Sequence, residues 1–291
     1  MADQESLASP GLQASRAPKA PRALVLLSND DGIASPGLHA MREALATELD
    51  VIVAAPETEQ SAMSHSLSLH RPLRLRRVEA GAFAIDGTPA DCVYVALHSG
   101  ERVVPRRPDL IVSGINRGLN LGQDVFYSGT VAAAREGALR GIPAIAISAH
   151  PMADLARVAA LTTHLAREVL ARPRRALLLN VNVPKRWTGE VRSTRIGARI
   201  YEEVVDFRKD PRGREYLWLG GPGVRHERND GTDTDAYDDG AVSITPLVLD
   251  LTQAADADLA TALAASVPPG LRPPPVSEPT SEKRSSDETK A

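Results

Sequence analysis

The strongest constraint on how this chain folds is a short apolar run that ends in acid. Ala23-Leu24-Val25-Leu26-Leu27 lead directly into Ser28-Asn29-Asp30-Asp31-Gly32. Five apolar residues without alternation describe a strand buried on both faces, the kind found in a parallel sheet covered by helices. Ligands in such sheets bind outside the carboxyl ends of the strands, so the two acids fall where a site forms. Adjacent carboxylates repel, and keeping both ionised takes a cation, a ring of hydrogen-bond donors or open water. A solvated Asp-Asp-Gly turn accounts for the same residues, since Asp and Gly dominate turns for local reasons.

The chain then repeats the alternation. Ser35-Pro36 supply an N-cap and a first-turn proline, after which Leu38, Met41, Leu45 and Leu49 recur on one face. A second buried run at 51–55 completes a βαβ unit, Pro56 ends it, and residues 57–68 form a polar loop with Ser61, Ser64, His65 and Ser66. Residues 73–77 and 83–85 alternate enough for a short hairpin, and Thr88-Pro89-Ala90-Asp91 opens a helix to about His98. Buried runs at 109–114, 143–148 and 176–181 follow. Between them lie a small-residue helix, expected to be capped by Thr130 and closed by Gly141, and an amphipathic helix marked by Leu155, Val158, Thr162, Leu165 and Val169. The pattern implies an α/β fold, a mostly parallel, doubly wound sheet covered by helices on both faces.

Beyond Pro184 the strand candidates shorten, at 191–196, 216–219 and 242–245, and Gly, Pro and Asp turns separate them. The expected organisation is therefore a disordered N-terminal extension at 1–22, an α/β core at 23–190, a β-rich antiparallel extension with a short helix at 191–265 and a disordered tail at 266–291.

With 43% hydrophobic residues in 291, the chain can bury one large core or two smaller ones, built from Leu, Val, Ile and Ala because aromatics reach only 3%. A net charge of -3 and a pI near 6.2 argue against a dominant pull towards a nucleic acid polymer or an anionic membrane, so any phosphate must be held locally. Cys92 has no partner for an internal disulfide and reads as a small buried hydrophobe in a reducing compartment. No apolar run has the length of a membrane span, and the start does not resemble a signal peptide. A soluble, cytoplasmic protein is expected.

Three strand ends carry oxygen donors: Asp30 and Asp31 after the first, Ser61 beyond the second, Asn116 after the run at 109–114. Such a set suits a hard cation, Mg²⁺ or Mn²⁺, and suits zinc poorly, and none of the seven histidines has metal-ligand spacing. Tyr127-Ser128-Gly129-Thr130, opening the small-residue helix, reads either as a plain N-cap or as a phosphate cradle of free amides, hydroxyls and helix dipole. A cation beside a phosphate-binding helix end is what phosphoryl transfer or phosphoester hydrolysis requires. The glycines between 114 and 122 do not match the dinucleotide fingerprint, and no Walker-type lysine follows a glycine loop. A receiver-like signalling module would share the acids and the Mg²⁺, yet Ile147-Ser148-Ala149-His150 lacks the lysine it needs. A relic that binds nucleotide without hydrolysing it would differ only in phosphate release.

Over most of residues 23–250 the chain resembles the SurE survival-protein nucleotidases. The motifs are LLSNDDGI at 26–33, VIVAAPETEQSAMSHSLSL at 51–69, DGTPADCVYVAL at 86–97, PDLIVSGINRGLNLGQDVFYSGTVAAAREG at 108–137, LLLNVNVP at 177–184 and VSITPL at 242–247. The resemblance implies a Rossmann-like three-layer α/β/α fold and a metal-dependent 5'/3'-nucleotidase. Its substrates would be nucleoside monophosphates and sometimes short polyphosphate, with one Mg²⁺ or Mn²⁺ per subunit. It carries metal ligation over to Asp30, Asp31, Ser61 and Asn116 and the phosphate loop to Ser128, Gly129 and Thr130. Asn120 and Asp124 match polar positions lining the family's site and join Asp30 and Asp31 as candidate catalytic residues. It also implies a homodimer or homotetramer joined through C-terminal arms, which fits the apolar Tyr216, Leu217, Trp218 and Leu219. Leu119, where the family usually has proline, and Ala241, where an aromatic is customary, depart from the pattern without removing a ligand.

Overall fold

The computed structural model describes residues 21–172, 177–202, 205–220 and 223–268. Most of the expected extension at 1–22 and of the tail at 266–291 lies outside the described residues, as does Ala176 at the start of the last predicted core strand. The chain divides into a main unit ending at Leu249 and a short second unit from Asp250.

The main unit is built on a nine-stranded sheet. Its first half is β1 (Leu24–Ser28), α1 (Pro36–Ala46), β2 (Asp50–Pro56), β3 (Leu75–Glu79), β4 (Ala82–Ile85), α2 (Pro89–His98) and β5 (Leu110–Arg117). Then come α3 (Gly129–Leu139), β6 (Ala144–Ala149), α4 (Leu155–Ala171) and β7 (Leu178–Val183). The C-terminal segment adds β8 (Val191–Ser193), β9 (Ala198–Tyr201), β10 (Val205–Lys209), β11 (Glu215–Leu219), β12 (Val224–Glu227), α5 (Asp233–Asp238) and β13 (Val242–Pro246). The strand order is β3-β4-β2-β1-β5-β6-β7-β13-β8, and β2, β1, β5, β6 and β7 run parallel. Because β1 pairs β2 on one side and β5 on the other, the order reverses at β1, and a crevice opens there at the carboxyl ends.

Every residue of β1 is buried, and alternate side chains serve opposite faces. Val25 and Leu27 pack with Leu38, Met41 and Leu45 of α1 and Val158 of α4, whereas Leu26 packs with Val93 of α2 and Val131 and Ala134 of α3. This double burial is why the run is continuous rather than alternating. On α1, Ser35 is the N-cap, its side chain accepting from the Leu38 amide, and on α2 Thr88 and Asp91 close a capping box.

Three details differ from the sequence reading. β5 runs on to Arg117, past a register shift between Ser113 and Asn116, so Asn116 sits at the strand end itself. The cap of α3 is Ser128, whose side chain accepts from the Val131 amide; Thr130 already lies inside the helix, and its hydroxyl is engaged elsewhere. β13 and β8, placed by sequence in the extension, belong to the main sheet, β13 antiparallel to β7 and β8 parallel to β13. Only β10–β11 and β9–β12 form separate antiparallel pairs. The helix α5 had a readable start in Thr232 followed by Asp233 and Asp235, hidden in a Gly- and Asp-rich stretch.

In the second unit, the helix expected at 255–265 is α6 (Ala257–Ala265), with Leu259 and Leu263 exposed. No helix among the described residues is long and apolar enough to cross a membrane.

Candidate active site

The crevice at the switch in strand order is a cleft of about 1450 Å³, and its lining includes Asp30, Asp31, Ser61, Asn116, Asn120, Asp124 and Ser128. Seven of the nine residues singled out from sequence thus meet in one place. Gly129 and Thr130 follow immediately behind Ser128 at the amino end of α3.

Asp30 is almost fully buried. Its Oδ1 accepts the Thr130 hydroxyl, and α3 can lie this close only because residue 129 is glycine: a Cβ there would stand 2.9 Å from the Asp30 Cβ and 3.0 Å from Pro89 Cγ. Burial pushes the Asp30 carboxyl from an ordinary 3.8 up to about 6, against the Thr130 hydrogen bond and with a further push from Asp31. Asp31 is half-buried. Its Oδ2 accepts the Arg117 amide at 3.0 Å, and burial, followed by the nearby charge of Glu59, raises its carboxyl as well. Neither carboxylate forms an ion pair with a cationic side chain among the described residues. Gly32, at φ +92°, makes the turn after them, and a side chain there would press on Thr58, whose backbone carbon lies 3.1 Å from the Cβ position.

Ser61 arrives on the loop after β2, its hydroxyl donating to Glu59 Oε1 at 2.7 Å, and the Gln60 amide ties that loop to the Asp30 carbonyl at 2.8 Å. The Asn116 amide group donates to the Gly118 carbonyl at 3.2 Å. Among the described residues no three His, Cys, Asp or Glu side chains gather where they could share a metal. The candidate set among the described residues is two carboxylates, a hydroxyl and a carboxamide. All its donors are oxygens, and its two acids, one buried and one half-buried, have no ion-pair partner among the described residues, which fits a hard divalent cation.

Thr130, expected in the phosphate loop, turns its hydroxyl towards Asp30. Its hydroxyl and backbone amide both act on Asp30, and it is completely buried. At this helix end, the Ser128 hydroxyl holds the Val131 amide, and the Gly129 amide, first in the helix, has no intrahelical acceptor.

Asn120 and Asp124 are held by residues that sequence did not single out. The Asn120 amide donates to Asn182 Oδ1 at 2.8 Å and its side chain to Ser148 Oγ at 2.7 Å, while Asn180 and Asn182 side chains donate to its carbonyl at 2.8 and 3.1 Å. The Asp124 carboxylate is committed to Arg199, in an ion pair, and to the Tyr201 hydroxyl at 2.6 Å, both on β9. Burial and then Asp124 push the Tyr201 phenol up to about 12, so it stays a donor. The asparagines of LLLNVNVP carried a local signal, polar residues within an apolar strand; Arg199 and Tyr201 carried none.

Set beside known proteins, the sequence matches the family described as Survival protein SurE over residues 25–203. It is 61% identical over 257 residues to the 5'-nucleotidase SurE of Sorangium cellulosum, an alignment covering 87% of this chain and 100% of that one. The chain belongs to the SurE family. The 5'-nucleotidase SurE of Myxococcus xanthus is 48% identical over 237 residues, covering 78% of this chain and 88% of its own. A crystal structure of the SurE protein from Aquifex aeolicus shares the fold with a TM-score of 0.71 and 38% identity, covering 83% of this chain and 99% of that one. The family match thus takes in β1 from Val25 on, the parallel strands β2, β5, β6 and β7, and every candidate site residue.

Proposed function

We propose that this protein is a divalent-metal-dependent nucleotidase, a phosphoric monoester hydrolase that releases phosphate from 5'- and 3'-nucleoside monophosphates and also from short polyphosphate. One observation carries the reading: two adjacent acids, neither in an ion pair among the described residues, line a large cleft, and the deeply buried one, Asp30, lies against the amino end of α3. The nucleotidase names of its SurE relatives support it.

One Mg²⁺ or Mn²⁺ per subunit, held by Asp30, Asp31, Ser61 and Asn116, would supply charge neutralisation at the phosphate and a lowered pKa for water. The chain itself does the rest. Ser128 and the Gly129 amide orient the phosphate at the positive end of α3. Thr130 fixes the Asp30 carboxylate, and the Arg117 amide fixes that of Asp31. Asn120, locked by Ser148, Asn180 and Asn182, presents a rigid polar wall, and Asp124 ties that wall to β9. Preorganised groups of this kind lose little on reaching the transition state.

The β10–β11 hairpin exposes Phe207, Leu217, Trp218 and Leu219, and we assign it to contact between subunits in a homodimer or homotetramer acting in the cytoplasm. Phosphate release from a panel of nucleoside monophosphates with Mg²⁺ or Mn²⁺, before and after chelation, tests the central reading. Metal-dependent release is expected; none from any member of the panel, or release untouched by exhaustive chelation, would overturn it.

A further inference from the structure

Ser61 is an exposed residue on a loop whose backbone is strained at two positions. Ala62 and Ser64 both sit in the left-handed region, at φ 58° and 51°, a conformation that costs energy for residues with a Cβ and persists only when the surroundings impose it. The surroundings here are specific. Ser64 donates from its amide to the Tyr127 carbonyl at 2.9 Å and from its hydroxyl to the Phe126 carbonyl at 2.6 Å. The Ser66 carbonyl accepts from the Thr88 hydroxyl at 2.7 Å, and the Ser68 amide donates to Asp91 at 2.9 Å. Between them, His65 Nε2 meets Glu136 Oε2 at 3.0 Å.

The His65–Glu136 contact differs from the others because it joins the loop to the body of α3, whereas Thr88 and Asp91 belong to the start of α2 and the Phe126 and Tyr127 carbonyls precede α3. The Glu136 side chain is 3% exposed, about two turns into α3, the helix whose amino end faces Asp30. Its other oxygen takes Arg140 at 3.0 Å. Burial pushes this carboxyl up, but the hydrogen bonds from His65 and Arg140 outweigh it and hold it below the usual range. The loop bearing one ligand and the helix bordering the phosphate are thus fastened by a single side-chain pair.

Building on the metal-dependent reading above, we propose that His65 is a positioning residue: paired with buried Glu136, it holds the 57–68 loop so that Ser61 lines the cleft beside Asp30 and Asp31, and so sets the affinity for the divalent cation. Removing His65 leaves Glu136 still paired with Arg140, so no buried charge is stranded and the fold survives.

The test compares the full chain with His65→Ala and with His65→Gln, which can still donate to Glu136. Mn²⁺ binding is titrated by the electron paramagnetic resonance of free Mn²⁺, alongside Mg²⁺ activation of 5'-AMP hydrolysis, melting temperature without metal, and chymotrypsin cleavage within residues 63–69. Partners of ligating groups typically account for about ten- to a hundred-fold in metal affinity. His65→Ala should therefore bind Mn²⁺ at least about tenfold more weakly, need correspondingly more Mg²⁺, be cut faster in the loop, and keep its melting temperature and its kcat at saturating Mg²⁺. His65→Gln should recover most of the affinity. Equal Mn²⁺ affinity in His65→Ala, or no recovery in His65→Gln, would overturn the role of His65 while leaving the enzyme reading intact. Absence of Mn²⁺ binding and of Mg²⁺ activation in the original protein would instead overturn the metal-dependent reading itself.

Discussion

Replacing Asp30 by Asn isolates the cost of keeping a buried acid in readiness. Asp30 is 6% exposed, and burial moves its carboxyl from 3.8 to about 6. Its folded value is raised, so the neutral acid is favoured in the fold. Below the unfolded value there is no penalty; the penalty grows as pH rises through both values and is complete above about pH 7. A shift of roughly two units at 1.36 kcal/mol each amounts to about 3 kcal/mol of stability lost in the metal-free protein. Asn keeps one acceptor for Thr130 and forfeits the other, so about half or more of that should be regained. For a domain of this size, roughly 1.5–3 kcal/mol corresponds to a melting temperature higher by about 3–10 °C near pH 8 in chelator, shrinking towards nothing near pH 4. Saturating Mg²⁺ should reverse the order, stabilising the original protein by mass action and the variant far less. Turnover should fall steeply in the variant. Thermal melts across pH, with and without metal, check this. An Asp30→Asn protein no more stable than the original near pH 8, or a difference that does not change with pH, would refute the account of Asp30 as a costly buried acid awaiting a cation.

Gly129→Ala should cut kcat/KM by about a hundredfold with a smaller effect on melting, because the added Cβ drives the helix end from Asp30 by a fraction of an ångström. Arg199→Ala, which leaves Asp124 without its ion pair, should cost about 1–3 kcal/mol in denaturant unfolding, less than a fully buried pair because both side chains keep some solvent. Leu217→Asp with Trp218→Asp should shift sedimentation towards a smaller species without lowering melting of the main unit, since both side chains are exposed on β11.

How much of this was legible in the sequence depended on how local the cause is. The core strands were readable because burial on both faces removes alternation, and the caps at Ser35 and Thr88 because each acts within three residues. The small-residue helix was readable too, but its cap was assigned to the wrong hydroxyl. Ser128 and Thr130 are chemically equivalent N-cap candidates, and what separates them is Asp30, a hundred residues earlier, which claims Thr130. The same holds for the membership of β8 and β13. Their sequences are short and alternate ambiguously; only the pairing of β13 with β7, and of β8 with β13, recruits them into the main sheet. Asp30, Asp31, Ser61 and Asn116 could be named because each lies at or beyond the end of a core strand, whereas Arg199 and Tyr201 sit on a half-exposed strand with nothing local to mark them.

The C-terminal segment consequently contributes to the wall of the cleft, through Tyr201, Leu219 and Gly220. Asp233, at the start of α5, is fully buried and accepts from the Gly122 amide at 3.0 Å with one oxygen and from the Gly197 amide at 2.8 Å with the other. Burial raises its carboxyl in spite of these two donors and the nearby backbone amides. One side chain therefore joins the loop that carries Asn120 and Asp124 to the strand that carries Arg199 and Tyr201. The Gln123 side chain adds a second tie, accepting from the Arg199 amide at 3.0 Å. A chain ended near residue 190 would keep every core strand through β7 and both carboxylates at the end of β1, yet the wall opposite them would lose Arg199, Tyr201 and Asp233 together. Asp124 would then face water without a cation. Such a fragment is expected to retain the parallel sheet by circular dichroism and lose turnover, so that the boundary of the folded core and the boundary of the catalytic unit do not coincide.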